Sequence, residues 1–270
     1  MDKRREKMTT KFKHIIPHKE KWNQIHDCKS NEYLSVTKFI QFIGEGYGSR
    51  NQMFDPKQKE REQRNDYLQW MFKHGSKNEG NAKKFLNEYG WVCWKDSILK
   101  EMCITRGRLL GTLDGVVIHP DTNEEMILEI KCPMKQDGDS VLDKTPCFRH
   151  WLQLQLYLWI IGYDYGIERG CLVYYYPHGG PNGEQVAKLF VFSKVDETIL
   201  ERELNIECEL QKYFIDYQKR TTYKPERIKK QDYKLLKEQF FLKGIVQTTL
   251  LQESEIETME HMLCVQEECP

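Results

Sequence analysis

Apolar residues recur along this chain with two different periods, and each period predicts one kind of element. Apolar positions three and four residues apart predict helices over residues 57–73 and 77–89. Gly75-Ser76 separates these two helices, and Gly90 ends the second.

A shorter segment before these helices, residues 33–44, combines apolar positions with hydroxyl side chains. It predicts a strand or turn that leads into a helix, with Ser35 or Thr37 as the N-cap and Gly44 as the stop. The cap side chains would thus lie at the point where the chain changes direction.

From residue 91 onward the apolar runs become short and rich in β-formers, which predicts strands. In chain order the predicted elements are the strands WVCW, RLLGTLDGVVIH and EEMILEIKCP, the helix CFRHWLQLQLYLWIIG, the strands CLVYYYP and AKLFVFS, and a helix from Asp196 to Lys219. Such an order predicts an α/β (α+β) fold, a central mixed sheet flanked by helices.

Charge divides the chain into three segments. Residues 1–29 hold nine Lys and Arg against four Asp and Glu, and residues 219–243 hold nine against three, although the whole chain is neutral. We expect a basic N-terminal arm (1–29), a central domain (30–218) and a basic helix with an acidic tail (219–270) packed on the same domain. Because binding depends on how charge is distributed, these basic blocks are expected to contact nucleic acid.

Other features restrict the class of protein. No apolar run approaches the roughly 18 residues of a membrane span, so a soluble intracellular protein without membrane contact is expected. The nine cysteines include no C-x-x-C pair, which favours reduced thiols over a disulfide framework.

The chemistry is concentrated in GTLDG (residues 111–115) and LEIKCP (residues 128–133). Side chains alternate faces in a strand, so Glu129 and Lys131 project from the same side. In an antiparallel hairpin Asp114 would lie across from Glu129. A carboxylate pair beside a lysine suits a divalent metal and a phosphate, and an ordinary cross-strand ion pair is the alternative.

Two helices offer further polar groups. Glu79 can face the sheet or the solvent. Gln153 and Gln155 lie about 200° apart on an apolar helix, so at most one of them faces a given site. Each of the three also has a purely structural interpretation, as a solvated acid or as an amide bonded to neighbouring backbone.

Four motifs in order, HGSKNE, GTLDG, LEIKCP and WLQLQ, resemble the phage lambda exonuclease family, also called YqaJ-type viral recombinases, of the PD-(D/E)XK nuclease superfamily. The resemblance covers residues 35–192 and implies a restriction-endonuclease-like core. The residues that it implies for catalysis are Glu79, Asp114, Glu129, Lys131 and Gln153, with Gln155 in support.

The resemblance also implies ligands. Mg²⁺, for which Mn²⁺ is expected to substitute, would be held by Asp114, Glu129, the backbone carbonyl of Ile130 and, as a further candidate, Glu79. The terminal 5′-phosphate of the DNA would contact hydroxyl groups. The phosphate-binding arginine of the family has no direct match, and Lys29 and Arg50 are the candidates to replace it. The hydroxyl residues are Ser35, Thr37 and Thr112. Leu113 stands where the superfamily has Pro.

The implied function is a DNA exonuclease that degrades linear double-stranded DNA from 5′ ends and leaves 3′ tails for recombination. Implied partners are double-stranded DNA, a single-strand annealing protein and two further copies in a ring trimer. The implied setting is viral, in host cytoplasm or nucleus. The alternatives are an endonuclease on the same fold and a catalytically silent DNA-binding module.

Overall fold

A computed structural model of the chain describes residues 32–55, 65–93, 103–133, 144–180, 183–219 and 231–253. The strands are β1 (Leu34–Ser35), β2 (Val92–Cys93), β3 (Cys103–Arg106), β4 (Leu109–Thr112), β5 (Gly115–Ile118), β6 (Glu125–Lys131), β7 (Arg169–Tyr176), β8 (Val186–Ser193) and β9 (Ile245–Gln252). The helices are α1 (Val36–Phe42), α2 (Asp66–Glu88), α3 (Phe148–Tyr165), α4 (Glu197–Leu204) and α5 (Ile206–Gln218), with a 3-10 turn at Arg50–Phe54 and a π-helical turn at Leu236–Phe241.

Two mixed sheets organise these elements. The larger has the order β2-β5-β6-β7-β8-β9, in which only β6 and β7 run parallel. The smaller has the order β1-β4-β3, with β1 parallel to β4. Helix α3 connects the parallel pair β6 and β7, as a parallel crossover requires. The predicted fold class, a mixed sheet flanked by helices, is confirmed.

The large sheet is buried on both faces. Met126, Leu128 and Ile130 of β6 pack with residues of α2, whereas Ile127 of β6 packs with α1 and α3 on the opposite face. Alternation along one strand thus separates two cores, and β6 has apolar contacts on each side.

Local sequence explains where several helices begin and end. Ser35 caps α1 by accepting a hydrogen bond from the Lys38 N–H at 3.3 Å, and the chain leaves this helix at Gly44 with φ 89°. Asp196 caps α4 by accepting from the backbone N–H groups of Thr198 and Ile199. The predicted start of the Asp196 helix, the α1 stop and the choice of Ser35 as cap are confirmed.

Helix α2 corrects the prediction of two helices. It continues from Asp66 to Glu88 through Gly75 and Ser76, while residues 57–64 lie outside the described residues. A helical glycine costs about 1 kcal/mol relative to alanine. Fully burying a side chain such as Phe85 or Leu86 contributes more, about 1.5–3 kcal/mol, so the packing of the second half keeps the helix continuous.

The predicted strand over residues 108–119 is also wrong, because it divides into β4 and β5 in different sheets. β4 forms a hairpin with β3, a strand that was not predicted, and the break falls at Leu113 and Asp114. Asp114 therefore lies at the junction between the two sheets and belongs to neither β4 nor β5.

The C-terminal prediction needs two corrections. The helix from Asp196 to Lys219 is interrupted at Asn205, which adopts a left-handed conformation (φ 47°, ψ 47°) between α4 and α5. Residues 245–252, where no strand was predicted, form β9 against β8. Residues 220–230 of the basic block and 254–270 of the acidic tail lie outside the described residues, as does the basic arm.

Two findings bear on the predicted class. Among the helices that the structure describes, none combines the length and apolar character needed to cross a bilayer. The five cysteines assigned in the described ranges, Cys93, Cys132, Cys147, Cys171 and Cys208, are free thiols.

We expect alanine substitutions at two glycines to change stability in opposite directions. A Cβ at Gly75 in α2 has open space around it, so Gly75→Ala should raise the free energy of unfolding by about 0.5–1 kcal/mol. A Cβ at Gly170 in β7 would lie 2.7 Å from Leu154, and overpacking should cost about 1–3 kcal/mol. Urea denaturation measures both; equal shifts would contradict the packing described for α3 on β7.

Candidate active site

The hairpin of β5 and β6 brings the predicted acids together. Gly115 pairs with Leu128 in this antiparallel hairpin. Asp114, one residue before Gly115, therefore lies across from Glu129, one residue after Leu128. The Asp114 Oδ2 accepts a hydrogen bond of 2.6 Å from the Ile130 N–H. This bond fixes the Asp114 carboxylate against the end of β6, beside Glu129.

Glu129 and Lys131 share one face of β6, as strand alternation predicts. The Lys131 ammonium donates a hydrogen bond to Glu129 Oε1 and lies 3.2 Å from the Gln153 Oε1 of α3. Gln153 in turn donates to the Tyr157 hydroxyl at 2.8 Å. The lysine head is therefore held from two sides, by a carboxylate and by an amide.

Gly111 of the GTLDG motif sets the position of Tyr157. A Cβ at Gly111 would lie 2.9 Å from the Tyr157 ring, which is closer than side-chain carbons ordinarily approach. Only glycine lets β4 come this close to α3 without displacing the ring. The motif therefore contributes a backbone approach as well as its aspartate.

Burial dominates the electrostatics of the two carboxyl groups. Removal from water, reinforced by the negative charge of Glu129, raises the pKa of Asp114 well above its ordinary value. Burial likewise raises the pKa of Glu129, although Lys131 opposes the shift. Each ionised form is costly here, which is the condition in which a bound cation has most effect.

The ammonium of Lys131 is balanced differently. Burial opposes its charged form, but the charges of Glu129 and Asp114 outweigh burial and raise the pKa of Lys131 above its ordinary value. Lys131 therefore stays protonated at neutral pH. It is a fixed positive charge and hydrogen-bond donor, and it is not a general base.

Glu79 lies beside this group on α2. Its carboxylate pairs with Lys83 at 2.6 Å, and its negative charge contributes to the raised pKa values of Asp114 and Glu129. Lys83 is 8% exposed, and a Cβ at Gly115 would lie 3.9 Å from its Cε. The sequence did not single out Lys83, which brings a second lysine to the two acids.

An open cleft of about 300 Å³ lies above these residues. Its lining comes from α1, the loop after it, α2, the end of β6 and α3. The lining residues are Thr37, Ile40, Gly46, Tyr47, Met71, His74, Lys131, Cys132, Pro133, Arg149, His150 and Gln153. Lys131 and Gln153 thus lie where a substrate would enter, with Asp114 and Glu129 adjacent.

The predicted phosphate contacts are only partly brought to the cleft. Thr37 lines it, whereas the Ser35 hydroxyl caps α1 and Thr112 lies exposed on β4. Arg50 pairs with Asp216 at 2.9 Å and lies 3.6 Å from the Phe42 ring centroid, so its guanidinium anchors α5 instead. Lys29 lies outside the described residues.

Gln155 is placed away from the acids. It is 1% exposed, donates to the Ser193 carbonyl at 3.0 Å and accepts from the Val195 N–H at 2.8 Å. It therefore stabilises the turn after β8, and the structure does not bring its amide to the acids. The structure agrees with the expectation that only one of the two glutamines faces a site.

Arg149 and His150 were missed by sequence reasoning. The Arg149 guanidinium lies 3.5 Å from the Tyr47 ring centroid, and its Nε is buried with no hydrogen-bond partner in the structure. Both residues immediately precede WLQLQ on the cleft side of α3. Their position one turn before Gln153 was the available signal.

His150 is held neutral. Burial, helped by the positive charges of Lys131 and Arg149, lowers the pKa of His150 to about 3. The Tyr174 hydroxyl accepts from the Cys147 N–H at 2.8 Å and lies 2.9 Å from His150 Nδ1. Either the Tyr174 hydroxyl donates to Nδ1, which places the His150 proton on Nε2, or Nδ1–H donates to that hydroxyl.

Cys132 is not a nucleophile in this setting. Burial, with the negative charges of Asp114 and Glu79, raises the pKa of the Cys132 thiol to about 12. A thiol protonated at neutral pH is a poor nucleophile and a poor metal ligand.

The donor set fits a hard divalent cation. Glu129 Oε2 is buried with no hydrogen-bond partner in the structure, and it belongs to a carboxylate that burial disfavours when charged. No three His, Cys, Asp or Glu side chains in the described ranges form a metal-binding group. Two carboxylates with backbone and water oxygens suit Mg²⁺, whereas zinc takes three or four side chains.

Comparison with known proteins gives limited likeness. No family model matches the chain, and no curated protein matches it. Among solved structures, the alkaline exonuclease LHK-Exo from Laribacter hongkongensis is similar over 75% of this chain and 97% of its own, with a TM-score of 0.48 and 16% identity. The same exonuclease in complex with dAMP gives a TM-score of 0.49 at the same identity and coverage.

We expect Asp114→Asn to stabilise the protein at neutral pH. The raised pKa means that the ionised carboxylate costs folding free energy, a cost that is absent below about pH 4 and grows as pH rises through the folded-state pKa. The amide keeps an oxygen for the Ile130 N–H, so about 1 kcal/mol should be gained at pH 8.

Urea denaturation in chelator at pH 4 and pH 8 measures this difference. Asp196→Asn is the control, because hydrogen bonds from Thr198 and Ile199 lower the pKa of that carboxyl and no gain is expected. A stabilisation by Asp114→Asn that is the same at both pH values would contradict the burial argument.

Proposed function

We propose that this chain is a metal-dependent deoxyribonuclease that hydrolyses phosphodiester bonds at the ends of linear double-stranded DNA. The observation that carries the proposal is the group formed by Asp114, Glu129 and Lys131, of which Lys131 lines the open cleft and the two acids lie beside it. A buried Glu129 with an unpartnered oxygen and a half-buried Asp114, next to a fixed ammonium, are suited to a cation and a phosphate at the same point.

An ion pair with a purely structural role accounts less well for this geometry. Replacing a buried pair with apolar residues is often neutral or stabilising, so its burial alone does not favour stability. Here Glu129 retains an unpartnered oxygen, and Lys131 is oriented toward the cleft by Gln153. The unpartnered oxygen costs stability, and a bound ligand would account for it.

Each residue then has a defined task. Lys131 would donate to a phosphate oxygen and balance the negative charge that develops there, and Gln153 would hold the ammonium in position. The pair of Glu79 and Lys83 would keep the local charge balanced around Asp114. In the tautomer that carries its proton on Nε2, the neutral His150 would donate to a phosphate oxygen without adding charge.

Asp114 and Glu129, with the Ile130 carbonyl, would hold Mg²⁺ or Mn²⁺. When bound, such an ion supplies a Lewis acid that lowers the pKa of water and neutralises charge on the leaving oxygen. The carboxylates would position it, and the walls of the cleft would limit access of bulk water.

We further propose that Arg149 supplies the phosphate-binding arginine that has no direct match in the sequence before Ser35. It lines the cleft with Lys131 and Thr37, and its buried Nε has no partner in the structure. A guanidinium recognises phosphate with two parallel hydrogen bonds, which a lysine does not provide. Selection of a terminal 5′-phosphate would follow from this contact.

The remaining details of the proposal rest on the resemblance of the four motifs. They are degradation in the 5′ to 3′ direction, production of 3′ single strands for recombination, a ring trimer around DNA and cooperation with a single-strand annealing protein. Measurement of the mass in solution tests the trimer. End-labelled duplexes test the direction.

We expect Lys131→Ala to reduce cleavage of 5′-phosphorylated linear duplex by about a hundredfold or more, because it removes the positive charge aimed at the reacting phosphate. Affinity for the same duplex without metal should change by less than about twofold, since one contact among many phosphate contacts is lost. Lys212→Ala, an exposed lysine of α5, is the matched control.

Closed circular DNA is assayed beside the linear duplex, with and without Mg²⁺. Mononucleotides from linear ends support the exonuclease, and nicked circles indicate an endonuclease. The absence of any product from the unaltered protein indicates a DNA-binding module. Cleavage by Lys131→Ala at the unaltered rate removes Lys131 from the reaction.

We expect Arg149→Ala to lower kcat/KM by about tenfold or more on 5′-phosphorylated ends and to have a smaller effect on 5′-hydroxyl ends, because the lost hydrogen bonds are charge-assisted. Arg149→Lys should restore only part of the activity. Arg202→Ala, exposed on α4, is the control. An equal loss on both kinds of end would show that Arg149 does not read the terminal phosphate.

A further inference from the structure

One face of α2 exposes aromatic rings beside the cleft. Tyr67 is 59% and Trp70 51% exposed, and their rings stack with centroids 6.1 Å apart. The Trp70 ring lies 5.7 Å from that of His74, which lines the cleft. Three rings thus form a continuous row that leads from the start of α2 to the candidate active site.

The same face continues with basic and amide side chains. Lys77, Asn81 and Lys84 follow His74 at the spacings that keep residues on one side of a helix. With His74 and His178 they line a second groove of about 580 Å³. His74 lines both this groove and the cleft, so the two are contiguous.

Hydrogen bonds between side chains of α2 hold this face in place. Asn78, 5% exposed, lies 3.1 Å from His74 Nε2 and accepts from Asn81 at 3.4 Å. Lys77 and Lys84 are exposed and have no ion-pair partner among the described residues. The imidazole is therefore held by its neighbours while the two ammonium groups stay available.

We propose that Tyr67, Trp70, His74, Lys77, Asn81 and Lys84, here the α2 track, bind single-stranded DNA that leaves or approaches the cleft. The inference rests on the proposed nuclease function and extends it to a strand that is not being cut. Exposed rings stack on unpaired bases of any sequence, and lysines contact the phosphates between them.

The dimensions and charge agree with such a ligand. From Tyr67 to Lys84 the helix rises roughly 26 Å, a length that spans about four nucleotides. Two copies packed through this face would bring His74, Lys77 and Lys84 against the same residues, which disfavours a second copy of the chain. Glu88 and Glu253 line the far end of the groove and would end the track there.

The test compares two double variants of the full chain. Trp70→Ala with Lys77→Ala removes one ring and one ammonium from the track, and Lys212→Ala with Ile215→Ala removes an exposed lysine and an exposed apolar side chain from α5. Binding of a labelled twelve-nucleotide oligothymidine is measured by anisotropy in chelator at several salt concentrations.

We expect the track variant to weaken binding about tenfold or more and to lower the slope of log affinity against log salt by about 0.7. The α5 variant should change neither quantity. Hydrolysis of a p-nitrophenyl ester of thymidine 5′-phosphate, too short to reach the track, should be the same for both variants.

If the track variant and the unaltered protein bind the oligothymidine with equal affinity, the α2 track does not bind single-stranded DNA, even if cleavage is confirmed. A change in mass in solution caused by the track variant overturns it as well, because the face would then join copies of the chain. If no protein hydrolyses any substrate, the proposed function fails, while the binding comparison still decides the track.

Discussion

A charged carboxylate enclosed by the sheet imposes the main constraint on this molecule. Glu129 is 1% exposed, one oxygen accepts from Lys131, and the other has no partner in the structure. An ion withdrawn from water costs several kcal/mol even after relaxation, so Lys131 only partly offsets the penalty. The surrounding elements must hold this pair in place against its preference for water.

The topology accomplishes this through β6. The strand is hydrogen-bonded to β5 on one side and to β7 on the other, and α2 and α3 cover its two faces. The side chains of β6 have little freedom in such a position, so Glu129 and Lys131 are presented at a fixed point. The crossover through α3 also delivers Gln153, Arg149 and His150 to the same cleft.

Charge compensation around the acids comes from residues far apart in the chain. Lys83 of α2 pairs with Glu79 next to the sheet, whereas Arg149 and Lys131 reach the cleft from α3 and β6. The neutral His150 adds a donor without increasing repulsion among these cations. The site is thus a balanced set of buried charges with open access from one side, and α2 forms one wall of that opening.

The short-range pattern was sufficient for the sheet residues. Alternation placed Glu129 and Lys131 on one face, the hairpin placed Asp114 opposite, and the helix wheel separated Gln153 from Gln155, because each rule depends only on neighbouring residues. Several other features followed from packing. Helix α2 runs through Gly75, β4 and β5 part at Asp114, Asn205 breaks a helix, and Arg50 pairs with Asp216.

By itself the sequence determined that Glu129 and Lys131 share one face of a strand and that Asp114 lies across the hairpin from Glu129. The tertiary structure alone decided which distant side chains join them: it brings Lys83 to the acids and Arg149 and His150 to the cleft, whereas Arg50 pairs with Asp216 and Gln155 bonds to the turn after β8. The physical reason is that burial and pairing of charge depend on contacts between elements remote in the chain, which local periodicity does not encode.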